Sequence, residues 1–217
     1  MKSFLNTLFD VIFPSICISC KKNKGFLCQS CIIISPSSEK ESADWIFPIF
    51  DYRHPPIKRA IWLLKYKGKK DIAYIFAEIM YERILEELAD LYKLENFKNP
   101  ILIPIPLSLK RLRERGFNQS LLICKKLIEI DKNTNLTLEK DILIKPKETE
   151  HQAKIENREK RLKNILGSFS VKNIEKIKGK NIILIDDVTT TGATLTEARK
   201  ILKKAGAKKI IAFTIAH

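Results

Sequence analysis

Residues 181–195 read Asn-Ile-Ile-Leu-Ile-Asp-Asp-Val-Thr-Thr-Thr-Gly-Ala-Thr-Leu, and few folds can accommodate such a stretch. The four aliphatics Ile182, Ile183, Leu184 and Ile185 run without alternation, so their strand must be covered on both faces, as in a parallel sheet. Two adjacent carboxylates, Asp186 and Asp187, end the strand. A turn of small hydroxyl residues follows, and a helical pattern then runs to Gly206. The start of a helix offers unpaired N–H groups and the positive end of its dipole, which suit a phosphate dianion. Gly192 permits close backbone approach there, and the threonines add donors. Asp186 and Asp187 would repel that phosphate, so they suit sugar hydroxyls or a hydrated divalent cation. One loop can thus read a phosphorylated sugar at both ends.

The rest of the chain fits an α/β sheet built around this segment. From residue 100, short apolar strands at 101–105, 141–144, 181–185 and 209–215 alternate with helices at 119–130 and 193–205, which predicts a mainly parallel central sheet. Ligand sites in such sheets gather at the carboxyl ends of the strands. Upstream, residues 45–52 read as a strand and 57–65 as a basic helix. Residues 72–94 read as a long helix whose apolar face carries Ile72, Phe76, Ile79, Met80, Ile84, Leu88 and Leu91. Cys124, among Leu121, Leu122, Leu127 and Ile128, reads as a buried core thiol. Trp62 reads as a core aromatic.

Four of the five cysteines form Cys17-x-x-Cys20 and Cys28-x-x-Cys31. Each turn places two thiolates on one side of a metal, and two turns complete a tetrahedral sulfur site, the closed arrangement of structural zinc. That reading stands ahead of an iron–sulfur centre or a disulfide pair. Four ligands leave no open position for catalysis. The polar run at 35–42 ends this first unit, giving an N-terminal zinc lobe over 1–40 and an α/β domain over 41–217. Phe4, Leu5, Leu8, Phe9, Ile12 and Phe13 fall at helical spacing before Pro14, which predicts a short amphipathic helix packed on the body. The opening residues lack the charge pattern and cleavage site of a signal peptide, and no window has the roughly 18 apolar residues of a membrane span. A cytoplasmic protein is therefore expected.

With 40 Lys+Arg against 25 Asp+Glu, the formal net charge is +15, which favours polyanionic partners without choosing among nucleic acid, phosphorylated metabolites and anionic membrane. The excess is clustered: residues 53–71 carry +6, residues 107–126 +5 and residues 145–181 +6, while the remainder is −2. Such clustering is more than a solubility device.

The 181–195 segment resembles the PRPP-binding signature of the type I phosphoribosyltransferase fold: a hydrophobic run, two acids, then Thr-Thr-Gly-x-Thr. The resemblance implies that Asp186 and Asp187 contact the ribose 2′ and 3′ hydroxyls, with Mg²⁺ accompanying PRPP. It further implies that Thr189, Thr190, Thr191, Gly192, Ala193 and Thr194 cradle the 5′-phosphate. Leu64-Lys-Tyr-Lys-Gly-Lys-Lys-Asp-Ile-Ala73, Pro104-Ile-Pro-Leu with Arg111-Leu-Arg-Glu-Arg-Gly-Phe-Asn-Gln119, the Gln152, Arg161, Asn164 and Phe169 stretch, and the four-cysteine start are similar to the ComF family, implicated in DNA uptake during natural competence. In this fold the loop corresponding to 106–118 lies beside pyrophosphate, and a loop corresponding to 146–165 closes over it. Arg113, Arg115, Lys67 and Arg161 are the expected pyrophosphate or anion contacts. Lys69 and Lys70 extend that surface.

Three functions follow from these expectations. One is a phosphoribosyltransferase of unknown acceptor, in which electrostatic preorganisation supports departing pyrophosphate. Purine-salvage members carry an acid within the phosphate loop where this chain has Thr190, which argues against that acceptor class. Another is a module that handles single-stranded DNA on the basic clusters, with Phe117, Trp62 or Tyr66 as stacking platforms and proteins of the DNA-uptake machinery as partners. The third is a PRPP-sensing regulator.

Overall fold

The computed structural model describes residues 16–23, 25–38, 42–132, 134–146 and 165–217. The expected helix before Pro14 and the stretch with Gln152, Arg161 and Asn164 lie outside the described residues. The first element is a short helix, α1 (Gln29–Ile33), followed by β1 (Ile46–Phe50), α2 (Pro55–Lys67), α3 (Asp71–Glu95), β2 (Ile101–Pro104), α4 (Leu109–Arg115), α5 (Gln119–Asp131) and β3 (Thr137–Leu138). Then come β4 (Leu143–Ile144), β5 (Ser170–Val171), a 3₁₀ turn at Ile174–Lys176, β6 (Asn181–Val188), α6 (Ala193–Lys204) and β7 (Lys209–Ala216).

Five strands form one sheet in the order β1-β7-β6-β2-β3, and every pairing is parallel. The central strand β6 pairs Ile182 with Ile210 on one side and with Ile101 on the other. Its side chains alternate between two cores. Ile183 and Ile185 pack with Leu64 of α2, Phe76 of α3 and Ile123 of α5, while Ile182 and Leu184 pack with Leu195, Ala198 and Leu202 of α6. Helices on both faces leave no water for either set, which is why the strand contains no polar residue between Asn181 and Asp186.

Two local readings of the sequence change. The expected strand at 141–144 does not enter the parallel sheet: Leu143 and Ile144 pair antiparallel with Val171 and Ser170 in a separate two-stranded ribbon. The edge beside β2 is already occupied by Thr137 and Leu138, so the later apolar run finds its partner elsewhere. The stretch at 106–118, read as a loop, contains α4. Leu109 to Arg115 are all good helix formers, and Gly116 at φ 76° ends the helix in the left-handed conformation. Cys124 is buried as expected, and burial pushes its thiol well above the usual range. Trp62 is not a core residue; it is 37% exposed on α2.

The cysteine segment packs on the main body. Cys17, Leu27, Cys28 and Cys31 join the core that contains Phe50, Ile57 and Phe213. Backbone bonds from Ser38 N to Ile49 O and from Asp51 N to Pro36 O fasten the chain after α1 to β1. Among the described residues, no helix is long and apolar enough to cross a membrane.

Candidate functional site

The carboxyl end of β6 opens into a cavity of about 210 Å³ between the β6–α6 turn, the start of α4, and α2. The turn is tied down from below: Thr189 N donates to Ala216 O at 3.0 Å, and His217 Nε2 lies 2.8 Å from Thr190 O. Gly192 adopts φ 71°, and a Cβ there would also press on Ile46 Cδ1 at 3.4 Å. Residues 193–195 follow directly as the first turn of α6, whose amides lack intrahelical acceptors, although Ala193 N reaches Thr191 Oγ1 at 3.4 Å. Thr189, Thr190, Thr191, Gly192, Ala193 and Thr194 all border the cavity. Their arrangement is that of an anion cradle.

The two aspartates are not equivalent. A strand sends successive side chains to opposite faces. Asp187 is buried, its Oδ1 is 2.9 Å from Lys65 Nζ of α2, and its Oδ2 accepts from Gln119 Nε2 of α5 at 2.7 Å. Both of its oxygens are therefore engaged by the protein. Asp186 accepts from Ser120 Oγ at 3.1 Å and from the Asp187 amide at 2.8 Å, both on Oδ1. Burial, reinforced by the neighbouring Asp187 charge, pushes the Asp186 carboxyl up to about 7 despite those bonds and Lys65. For Lys65, burial opposes the ammonium, but the charges of Asp187 and Asp186 outweigh it and hold the group above its ordinary value.

Opposite the acids stand Arg111 and Arg115, four residues apart on α4 and so on one helix face, with Lys145 from the segment after β4. The structure thus gathers Asp186, Asp187, the turn at 189–194 and Arg115 around one cavity. Arg113 does not border it and is exposed on another face of α4. Lys67 lies outside as well, its Nζ 5.6 Å over the Trp62 ring. Arg161 is outside the described residues. Sequence reasoning missed Lys65, Arg111, Gln119, Ser120 and Lys145. Reading 109–115 as a helix would have paired Arg111 with Arg115; no local pattern marks the partners of the two aspartates.

In the N-terminal segment, one sulfur from each of Cys17, Cys20, Cys28 and Cys31 lies within 4.8 Å of the other three. Cys20 Sγ and Cys28 Sγ are 3.7 Å apart, close to the ~3.8 Å edge of a tetrahedron with Zn–S bonds of about 2.3 Å. The Cys28 amide reaches Cys17 Sγ at 3.5 Å. Burial disfavours the Cys17 thiolate, but the amides of Cys28, Cys20 and Ser19 outweigh it and hold the thiol at about 6. The Cys31 amide favours the Cys28 thiolate, yet burial and the sulfurs of Cys31, Cys20 and Cys17 push that thiol up to about 11. Four sulfurs converging on one point compete for protons unless a cation shares them. The donor set fits a closed metal centre.

The family model described as "Phosphoribosyl transferase domain" matches residues 134–217. The chain is 30% identical over 211 residues to competence protein ComFC of Streptococcus pneumoniae, covering 97% of this chain and 84% of that protein. It is 32% identical over 160 residues to competence protein ComFC of Bacillus subtilis, covering 73% of this chain and 59% of that one. It is 24% identical over 206 residues to the DNA utilization protein YhgH of Escherichia coli O157:H7, covering 90% of this chain and 86% of that one. The matched domain, together with the parallel sheet, makes the fold phosphoribosyltransferase-like, preceded by a four-cysteine cluster. Similarity at 30% identity over 97% of this chain and 84% of a competence protein places this chain in the ComF family.

Proposed function

We propose that the protein binds PRPP with Mg²⁺ in the β6–α6 cavity and handles single-stranded DNA in DNA uptake, in contact with other proteins of that process. The observation that carries the first part is the juxtaposition, around one cavity, of the 189–194 turn, the free face of Asp186 and the cations Lys65, Arg111 and Arg115. The turn would take the 5′-phosphate, Asp186 the ribose hydroxyls, and the two arginines the pyrophosphate. Calorimetry with Mg-PRPP tests this: wild-type protein binds, and Asp186→Ala reduces the affinity at least tenfold. No heat from the wild type, or unchanged binding by the variant, refutes it. Pyrophosphate release in the presence of candidate acceptors then separates a transferase from a sensor.

The strand-handling part is favoured by α2. Trp62 and Tyr66 are 37% and 50% exposed, and Arg59 and Lys67 lie 4.5 and 5.6 Å from the Trp62 ring. Exposed rings flanked by cations are the elements of a sequence-tolerant stacking surface. Binding of a short oligothymidylate should fall steeply with salt, and its absence at low salt overturns the reading. In the four-cysteine centre we place a structural zinc, which supplies cross-linking of the lobe and no catalysis.

A further inference from the structure

A second chamber of about 180 Å³ opens beside the first, between the end of α2 and α4. Lys65, Arg111 and Arg115 border both spaces, and Tyr66 and Phe117 add aromatic surface to the second alone. Three cations face it against one carboxylate, Glu114, which is exposed. Arg115 carries its guanidinium carbon 5.2 Å over the Tyr66 ring, and its Nη1 is buried with no hydrogen-bond partner among the described residues. A donor shut away from water with nothing to bond is unfavourable, and an incoming acceptor oxygen removes that penalty. Lys70 Nζ lies 5.4 Å over the Phe117 ring.

An inorganic anion would use the cations and leave the aromatic walls idle. An uncharged ring would use the walls and leave Arg115 unsatisfied. A planar ring joined to a phosphate uses both. We propose that the second chamber is a subsite for one nucleotide unit, its base against Tyr66 and Phe117 and its phosphate on Arg115, and that its occupancy opposes anion binding in the first cavity. Opposition follows because both ligands draw on Arg111 and Arg115, while Lys65 is held by Asp187: the second anion to arrive meets cations already engaged by the first. The unit can come from a free nucleotide or from a single strand. The identity of the antagonist rests on the PRPP reading above; the subsite itself does not.

The test is calorimetry at low salt with ADP, pyrophosphate, adenosine and a short oligothymidylate, on wild type, Tyr66→Ala and Tyr66→Phe. Tyr66 is half exposed, so its truncation leaves the core intact. Either ADP or the oligothymidylate should bind at least tenfold tighter than adenosine, and pyrophosphate binding should be indifferent to Tyr66→Ala. Tyr66→Ala should weaken that ligand about tenfold, as expected for loss of one stacked ring, and Tyr66→Phe should restore it. A Tyr66 dependence for ADP identifies free nucleotide as a source, and one for the oligomer alone identifies the strand. Binding of both ligands indifferent to Tyr66→Ala, or adenosine binding as tight as both, overturns the subsite. Saturating Mg-PRPP should weaken the ligand about tenfold, and the ligand should weaken Mg-PRPP equally. Independent binding of the two overturns the opposition. Protein that binds nucleotide through Tyr66 and gives no heat with Mg-PRPP overturns the function proposed above and leaves the subsite supported.

Discussion

Replacing Lys65 with methionine removes the ammonium that faces Asp187 and keeps most of the apolar stem. The side chains of Lys65 and Asp187 are 18% and 8% exposed, so little water can substitute for the lost charge. At 2.9 Å the attraction is worth about 6 kcal/mol at an effective dielectric constant of about 20, before desolvation is subtracted. Removing one partner of a buried pair costs about 3–5 kcal/mol, because the other charge is stranded. Gln119 still donates to Asp187, and Lys65 retains some water contact, so we expect the lower end, about 3 kcal/mol. With about 2.1 cal/mol/K of unfolding entropy per residue, that lowers the midpoint of a 217-residue chain by about 7 °C.

Urea titration of wild type, Lys65→Met, Asp187→Asn and the double variant forms a cycle that isolates the pair. The double variant should be more stable than Lys65→Met alone, since no unpaired charge remains. A loss below about 1 kcal/mol in Lys65→Met, or strict additivity in the double variant, would refute the claim that Asp187 is held as a buried counter-ion.

Three further outcomes can be measured directly. The Asp186 carboxyl is raised from about 3.8 to about 7 in the folded chain, so its contribution to stability is complete below about pH 4 and is lost as pH rises towards 7. Asp186→Asn should therefore gain on wild type by roughly 3 kcal/mol between pH 4.5 and 7.5 in denaturant titrations, and an unchanged difference contradicts the burial argument. At the end of α5, burial disfavours the Asp131 carboxylate, but the amides of Asn135 and Leu136 and the Tyr81 hydroxyl, at 2.9, 3.0 and 2.9 Å, outweigh it and hold the group below its usual value. Asp131→Ala should cost about 3 kcal/mol at pH 7, with the difference shrinking as acid protonates the wild-type carboxylate, read by thermal melts across pH. Chelation by a strong zinc ligand should release about one metal per chain and expose Leu27 and Phe50 to proteolysis; resistance with the metal gone would separate the cysteine centre from folding.

The central layer was legible because its signal is local. An unbroken aliphatic run can only be a doubly covered strand, and β6 and β7 appear where the pattern puts them, extending to Val188 and Ala216. The short ribbon was not, because a two-residue strand such as Leu143–Ile144 has no periodicity to read and its partner comes after a gap of more than 20 residues. The acids and the phosphate turn were legible for the same local reason as the strand. Their counter-ions were not: Ser120 and Gln119 reach Asp186 and Asp187 across 66 and 68 residues, and Lys65 arrives from a helix whose charges look alike in sequence. In the 107–126 cluster the residue types are informative and the conformation is not: a loop offers Arg113 as readily as Arg111, and only the helix brings Arg111 beside Arg115.

The pairing of Asp187 with Lys65 follows from the strand itself. Two adjacent residues at the end of a doubly covered strand must point to opposite faces. On the face shared with Ile183 and Ile185, α2, α3 and α5 close over the sheet, and a carboxylate there cannot stay ionised without a cation and a donor beside it. Lys65 and Gln119 supply these. On the other face, beyond Leu184, the chain turns away towards α6, and Asp186 meets the cavity. A lysine aimed at the acids also leaves Arg111 and Arg115 uncancelled by Asp187, although all border the same space. The net charge of +15 is thus partly internal in purpose. One basic residue of the 53–71 cluster neutralises the sheet's own acid, two of the 107–126 cluster border the cavity, and Arg59, Lys67 and Arg113 face outward.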